Sequence, residues 1–151
     1  MSDPKGVRFV AAQALLFVVV GGGPTWFGAG GSAGLWRLAA VVVMVAGVAL
    51  ALVAGFRLGR SLTPLPVPVA DGHLVTAGAY AFARHPIYGG LLLLAIGWSA
   101  YAGSWGTLAA TAALWGLFEV KSRFEERALV ARYPEYAAYR AGTRRFVPFV
   151  Y

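Results

Sequence analysis

Residues 86–118 read "PIYGGLLLLAIGWSAYAGSWGTLAATAALWGLF". Two uncharged apolar runs, Ile87 to Ala102 and Trp105 to Phe118, flank Gly103-Ser104. This pattern predicts a tight helical hairpin with Pro86 at its first turn, where a missing N–H costs least. Neither limb reaches the roughly 20 residues that a lone membrane span requires. The hairpin is therefore expected to be shielded in part by other helices or by a partner chain.

Two further apolar segments precede the hairpin. One runs from about Val7 to Val20 and closes in Gly21-Gly22-Gly23-Pro24; the other runs from about Leu35 to Leu58. At about 1.5 Å per residue the second crosses a hydrocarbon core with some tilt. Lys5 and Arg8 before a short apolar run also describe a signal peptide. No clear small-x-small cleavage site follows, and Gly21 to Gly34 reads as a short external loop with Trp26 and Trp36 at the interface. Of the 151 residues, 59% are hydrophobic and 13% charged. That balance is too apolar for an ordinary soluble domain. The expected fold is an all-α integral membrane protein of about four transmembrane helices. Residues 1–56 would supply the N-terminal membrane helices, and residues 57–151 the remaining strap, hairpin and tail, all in one structural domain.

Cysteine is absent, which removes disulfides, Cys-based metal sites and Cys nucleophiles. Two histidines, His73 and His85, are too few for a His-rich metal site, so no metal is expected. The net charge of +7 beside apolar spans points to an anionic membrane surface rather than to nucleic acid.

The positions of Lys and Arg set the orientation. Lys5 and Arg8 precede the first span, Arg37 alone borders the first loop, and Arg57, Arg60 and Arg84 border the second. None lies in the hairpin turn, and seven fall between Lys121 and Arg145. Both termini and the loop Ser61 to Arg84 are accordingly expected on the cytoplasmic side of a multi-pass cell-membrane protein.

That loop, "SLTPLPVPVADGHLVTAGAYAFAR", reads as an extended strap. Pro64, Pro66 and Pro68 favour an open path, and Asp71-Gly72 marks a turn. The tail opens as a helix, "FEVKSRFEERALVARY", with Phe124, Ala128 and Ala131 on one side and Arg123, Glu126 and Arg127 on another. Pro134 interrupts it, and a short helix with Tyr136 and Tyr139 precedes Gly142 and Pro148, where regular structure ends.

Each polar motif has a plain structural reading. "RHP" serves as a helix start with Arg84 snorkelling to headgroups; "FEER" serves as a solvated helix face; Tyr133, Tyr136 and Tyr139 serve as an interfacial aromatic belt. Together, however, Arg84-His85 on the strap, Glu125-Glu126 on the tail and the aromatic set would meet on one membrane face. Such a site suits a zwitterion bearing an amine, a carboxylate and an aromatic ring, as S-adenosylmethionine does.

The run "LVTAGAYAFARHPIYGG", followed after the hairpin by "EERALVARYPEYAAYRAGTRRFVP", resembles the isoprenylcysteine carboxyl methyltransferases and their relatives among the phospholipid methyltransferases. The resemblance covers about Arg57 to Pro148 and implies a membrane S-adenosylmethionine-dependent methyltransferase acting on a lipophilic, isoprenoid or lipid-like acceptor. It places Leu74, Val75, Tyr80, His85, Pro86, Ile87 and Tyr88 along the cofactor. It also matches Glu125 to the carboxylate that holds the cofactor's amino group, with Glu126 completing the pair. Lys121 falls where the carboxyl methyltransferases place a substrate-binding Arg, and Arg84 and Arg145 join it as substrate-side candidates. Lysine keeps the charge but loses the bidentate fork. His73 receives no role.

Methyl transfer from a sulfonium is an in-line displacement that needs alignment and exclusion of water, so no residue is assigned as catalytic. A sterol-type membrane reductase using NADPH shares the "RHP" region but is usually much larger, and a non-catalytic membrane protein is the third class. No residue fixes the oligomeric state or the methyl acceptor.

Overall fold

The computed structural model of the chain describes residues 4–31, 33–66 and 71–147. Five α-helices follow in order: α1 Pro4–Phe27, α2 Leu35–Leu58, α3 Pro86–Ala102, α4 Trp105–Arg132 and α5 Tyr136–Gly142. Short 3-10 turns occupy Gly59–Ser61 and Gly78–Ala81, and there is no strand among the described residues. Pro68 and Pro148, read as loop and stop signals, lie outside the described residues.

α1 and α2 are long and apolar enough to cross a membrane by length and composition. α2 buries Ala40, Gly47 and Ala54, one residue every seven, and leaves Val41, Val45, Val48, Leu52 and Phe56 exposed around it. This is the pattern of a helix that touches protein along one narrow seam and lipid elsewhere. The seam is narrow because its residues are small. A Cβ on Gly47 would lie 2.5 Å from the Gly90 carbonyl oxygen of α3, and one on Gly97 of α3 would lie 2.8 Å from that of Ala40.

The hairpin forms where the sequence places it. Gly103 adopts the left-handed conformation, φ 61°, that ends α3, and the Ser104 hydroxyl caps α4 by accepting from the Thr107 N–H at 3.4 Å.

Two boundaries differ from the sequence reading. α1 does not stop at Val20 but runs through Gly21-Gly22-Gly23-Pro24 to Phe27. Pro24 cannot donate to the Val20 carbonyl one turn back, and the Trp98 indole Nε1 of α3 donates to it instead at 3.0 Å. Gly23 lets the same turn sit against α4, since a Cβ there would be 2.3 Å from Thr107 Oγ1. The second difference is α4, which does not break at Phe118 but continues as one helix to Arg132. No Gly or Pro stands between Gly116 and Pro134, so nothing interrupts it until Tyr133 turns extended before Pro134. Its 28 residues span about 42 Å, more than the roughly 30 Å of a hydrocarbon core.

The amphipathic division expected for those turns is also corrected. Lys121, Ser122 and Glu126 are buried, Ala131 is exposed, and Phe124 is half-buried against Phe9 of α1 at 5.8 Å between ring centres. After α5 the chain returns along the strap's end. Arg84 and His85 donate backbone N–H groups to the carbonyls of Arg144 and Arg145 at 2.8 Å each, and Phe146 is fully buried over Gly89.

Candidate cofactor and acceptor site

The strap, the start of α3, the outer half of α4 and α5 enclose a cavity of about 390 Å³, within the usual range for one small ligand. Leu74, Val75, Tyr80, Arg84, His85, Ile87, Tyr88, Lys121 and Glu125 line it. Pro86, Glu126 and Arg145, expected beside them, do not. Pro86 is packed into the first turn of α3, Glu126 sits behind His85, and Arg145 turns to Glu119 at 2.6 Å.

His85 caps the start of α3 in a non-helical conformation and is 8% exposed. Its Nδ1 lies 3.4 Å from Glu125 Oε2 and its Nε2 lies 3.2 Å from Glu126 Oε1. With an acceptor opposite each nitrogen, both nitrogens must donate, which is the imidazolium arrangement. Burial opposes that charge, but the two carboxylates outweigh it and raise His85 above the ordinary imidazole range.

Glu126 is 1% exposed and is the hub of the charged cluster. Arg84 Nε donates to its Oε1 at 2.8 Å, Arg140 Nε approaches Oε2 at 3.4 Å, and Arg145 Nε lies 3.7 Å from Oε1. Burial alone would raise this carboxyl, but the hydrogen bonds from His85 and Arg84 prevail and hold it at about 2. Its partners are therefore not Arg123 and Arg127. Arg123 pairs with Glu119 at 3.0 Å. Nor does Arg84 snorkel: besides Glu126, its Nη1 donates to the carbonyls of Thr143 and of Arg140 at 3.2 Å.

Glu125, by contrast, borders the cavity. Its Oε1 accepts from the Tyr88 hydroxyl at 2.5 Å, and the Tyr88 ring stacks between Phe118 at 4.4 Å and His85 at 5.5 Å. A carboxylate oriented by two donors, with Leu74, Val75 and Ile87 along the walls, suits a ligand with a cationic group and an apolar part. Among the described residues no cluster could hold a metal ion.

The tyrosines are not a belt. Tyr133 donates to the Gly72 carbonyl at 2.8 Å and Tyr139 to that of Tyr80 at 2.5 Å, so both anchor the strap. Burial pushes Tyr80 and Tyr136 up and raises Tyr139 to about 12, keeping all three neutral at physiological pH. The sequence reading missed Leu91 and Gln13 as lining residues. For Gln13 a signal existed: it is the one polar side chain between Phe9 and Val20, and polar groups inside membrane helices are rarely idle.

The family model for phospholipid methyltransferases matches residues 35–136, more than half of the chain, from α2 through the strap and hairpin to the start of α5. The chain belongs to the phospholipid methyltransferase family. No curated protein sequence matches it. Its fold is similar to that of a eukaryotic intramembrane Ras methyltransferase, isoprenylcysteine carboxyl methyltransferase, with a TM-score of 0.69 at 23% identity over 98% of this chain and 53% of that one. At that identity the likeness is one of fold, and the chain spans about half the length of that protein. The family match together with the apolar helices makes this phospholipid methyltransferase relative a membrane protein.

Proposed function

We propose that the chain transfers a methyl group from S-adenosylmethionine to a lipophilic, lipid-like acceptor at the cytoplasmic face of a cell membrane. The observation that carries this reading is the Glu125 carboxylate, oriented by the Tyr88 hydroxyl and His85, at the wall of one apolar cavity. A carboxylate beside apolar walls is what a ligand bearing an ammonium and a large apolar part requires, so the lining fits the cofactor. When bound, S-adenosylmethionine supplies an electrophilic methyl group.

The chain's own residues then bind, orient and exclude water. Glu125 holds the amino group, with its charge fixed in direction by Tyr88 and His85. Leu74, Val75 and Ile87 cover the apolar part of the cofactor. The strap, anchored by Tyr133 and Tyr139, forms one wall of the cavity and shields that side from water, which favours a displacement between two aligned partners. Lys121 stands on the acceptor side. Arg84 holds Glu126 from the cavity wall, and Arg145 stands outside the cavity, paired with Glu119. In this arrangement four helices, α1 to α4, span the bilayer, and the Lys and Arg distribution leaves both termini and the strap in the cytoplasm. Residues 57–151 carry the cofactor site, and residues 1–56 supply membrane helices that complete it.

The test is equilibrium binding to the purified protein in detergent. S-adenosylhomocysteine should bind and NADPH should not; the reverse result would replace the methyltransferase reading with the reductase one.

A further inference from the structure

Lys121 is 1% exposed, yet its ammonium touches no carboxylate among the described residues. It donates to two neutral oxygens, Gln13 Oε1 at 2.7 Å and the Pro64 carbonyl at 3.0 Å, and lies 5.3 Å from the centre of the Tyr88 ring. Two neutral dipoles and a ring face compensate a buried cation less well than an anion does. Glu125, one turn further along α4, acts on this cation through space without touching it, and two of the ammonium's three N–H groups are used, so a ligand oxygen can take the third.

Gln13 faces the same cavity from α1. An ammonium only donates, so the carboxamide must turn its oxygen to Lys121 and its NH2 away. That NH2 has no hydrogen-bond partner among the described residues. The Gln13 amide, whose oxygen accepts from the ammonium at 2.7 Å, and Lys121 thus both line the cavity. α1 also lies outside the segment, residues 35–136, that the family model matches.

We propose that Gln13 is an acceptor-binding residue, which with Lys121 forms a site for an oxyanion, a carboxylate or a phosphate, on the methyl acceptor. Two neighbouring donors, one of them charged, suit the two oxygens of such a group. The N-terminal helix thereby takes part in choosing the substrate, and the proposal rests on the methyltransferase reading.

The experiment uses the full chain in lipid nanodiscs and two probe acceptors, a farnesylated cysteine carboxylate and a phospholipid amine carrying its phosphate. Gln13→Leu should raise KM about tenfold for the acceptor that is used, the usual loss for a hydrogen bond to a charged group. The turnover number and the affinity for S-adenosylhomocysteine should stay within about twofold. Gln13→Glu should raise KM further, because its carboxylate would neutralise Lys121 and repel the oxyanion. Preference for one probe identifies the oxyanion as carboxylate or phosphate. An unchanged KM in both variants would overturn the proposal. So would a parallel loss of acceptor and S-adenosylhomocysteine binding, the sign that Gln13 merely latches the strap through Lys121. A wild-type protein that binds S-adenosylhomocysteine but neither probe would also overturn it. Failure to bind S-adenosylhomocysteine would instead sink the methyltransferase reading.

Discussion

Glu125 and Glu126, neighbours on α4, are held by opposite nitrogens of the same His85 ring, at 3.4 and 3.2 Å. The helical rotation of about 100° per residue aims them differently. Glu125 borders the cavity, while Glu126 lies 1% exposed among Arg84, Arg140 and Arg145. The nearly isosteric amides separate the two roles. Glu125→Gln should weaken S-adenosylhomocysteine binding about 30-fold or more, with a smaller loss of stability than Glu126→Gln. Glu126→Gln should cost about 3–5 kcal/mol of stability, because it leaves buried cations without their anion. Calorimetric binding and unfolding in mild detergent read the two quantities, and equal small effects from both variants would make the pair a solvated face.

The same ring predicts a pH optimum for stability. His85 is raised in the folded protein, so its contribution is complete below the usual 6.5 and is lost as pH rises through the folded value. Glu126 is lowered to about 2, so its contribution is complete above the usual 4.5 and is lost as pH falls toward 2. The thermal midpoint in detergent should therefore be highest between about pH 4.5 and 6.5 as far as these groups decide it. His85→Gln should flatten the alkaline side of the curve. A wild-type midpoint that keeps rising above pH 7 would contradict the imidazolium arrangement.

Much of this architecture is legible in the chain, and the illegible parts have a common cause. Gly103-Ser104, Pro86 and the uninterrupted apolar run of Leu35–Leu58 act locally, so helix starts, caps and the hairpin turn can be read from neighbouring residues. The meeting of "RHP" with "FEER" is legible as complementary charge. What cannot be read locally is which partner a group takes from far along the chain. The Val20 carbonyl is satisfied by Trp98, Lys121 by Gln13 and Pro64, and Glu126 by side chains from the strap, α5 and the returning tail. Each of these decided a boundary or a role that propensity alone places elsewhere: α1 outlasts its glycines, and a carboxylate flanked by arginines is buried rather than solvated.

Tyr136 offers a test with an unusual sign. Its ring is 1% exposed, and its hydroxyl has no hydrogen-bond partner among the described residues. A buried, unsatisfied hydroxyl destabilises by about 1–3 kcal/mol. Tyr136→Phe, which keeps the ring, should therefore leave the ligand-free protein as stable as the wild type or raise its thermal midpoint. A clear fall in the midpoint would show that the hydroxyl is bonded after all.

The repair of α1 at Pro24 can be tested by a double substitution. Trp98→Phe keeps an aromatic ring in α3 but removes the indole N–H that satisfies the Val20 carbonyl. An orphaned carbonyl buried away from water costs about 1–3 kcal/mol, so this variant should unfold more readily. Pro24→Ala restores a backbone N–H one turn after Val20, where the helix can use it. In the wild-type background that N–H competes with Trp98 for a carbonyl already bonded, and the gain should be small. In Trp98→Phe it supplies the missing donor, so the two substitutions should be non-additive, with Pro24→Ala rescuing part of the loss. Unfolding measurements on all four proteins give the coupling directly. Strict additivity would mean that the indole packs against α1 without carrying its hydrogen bond.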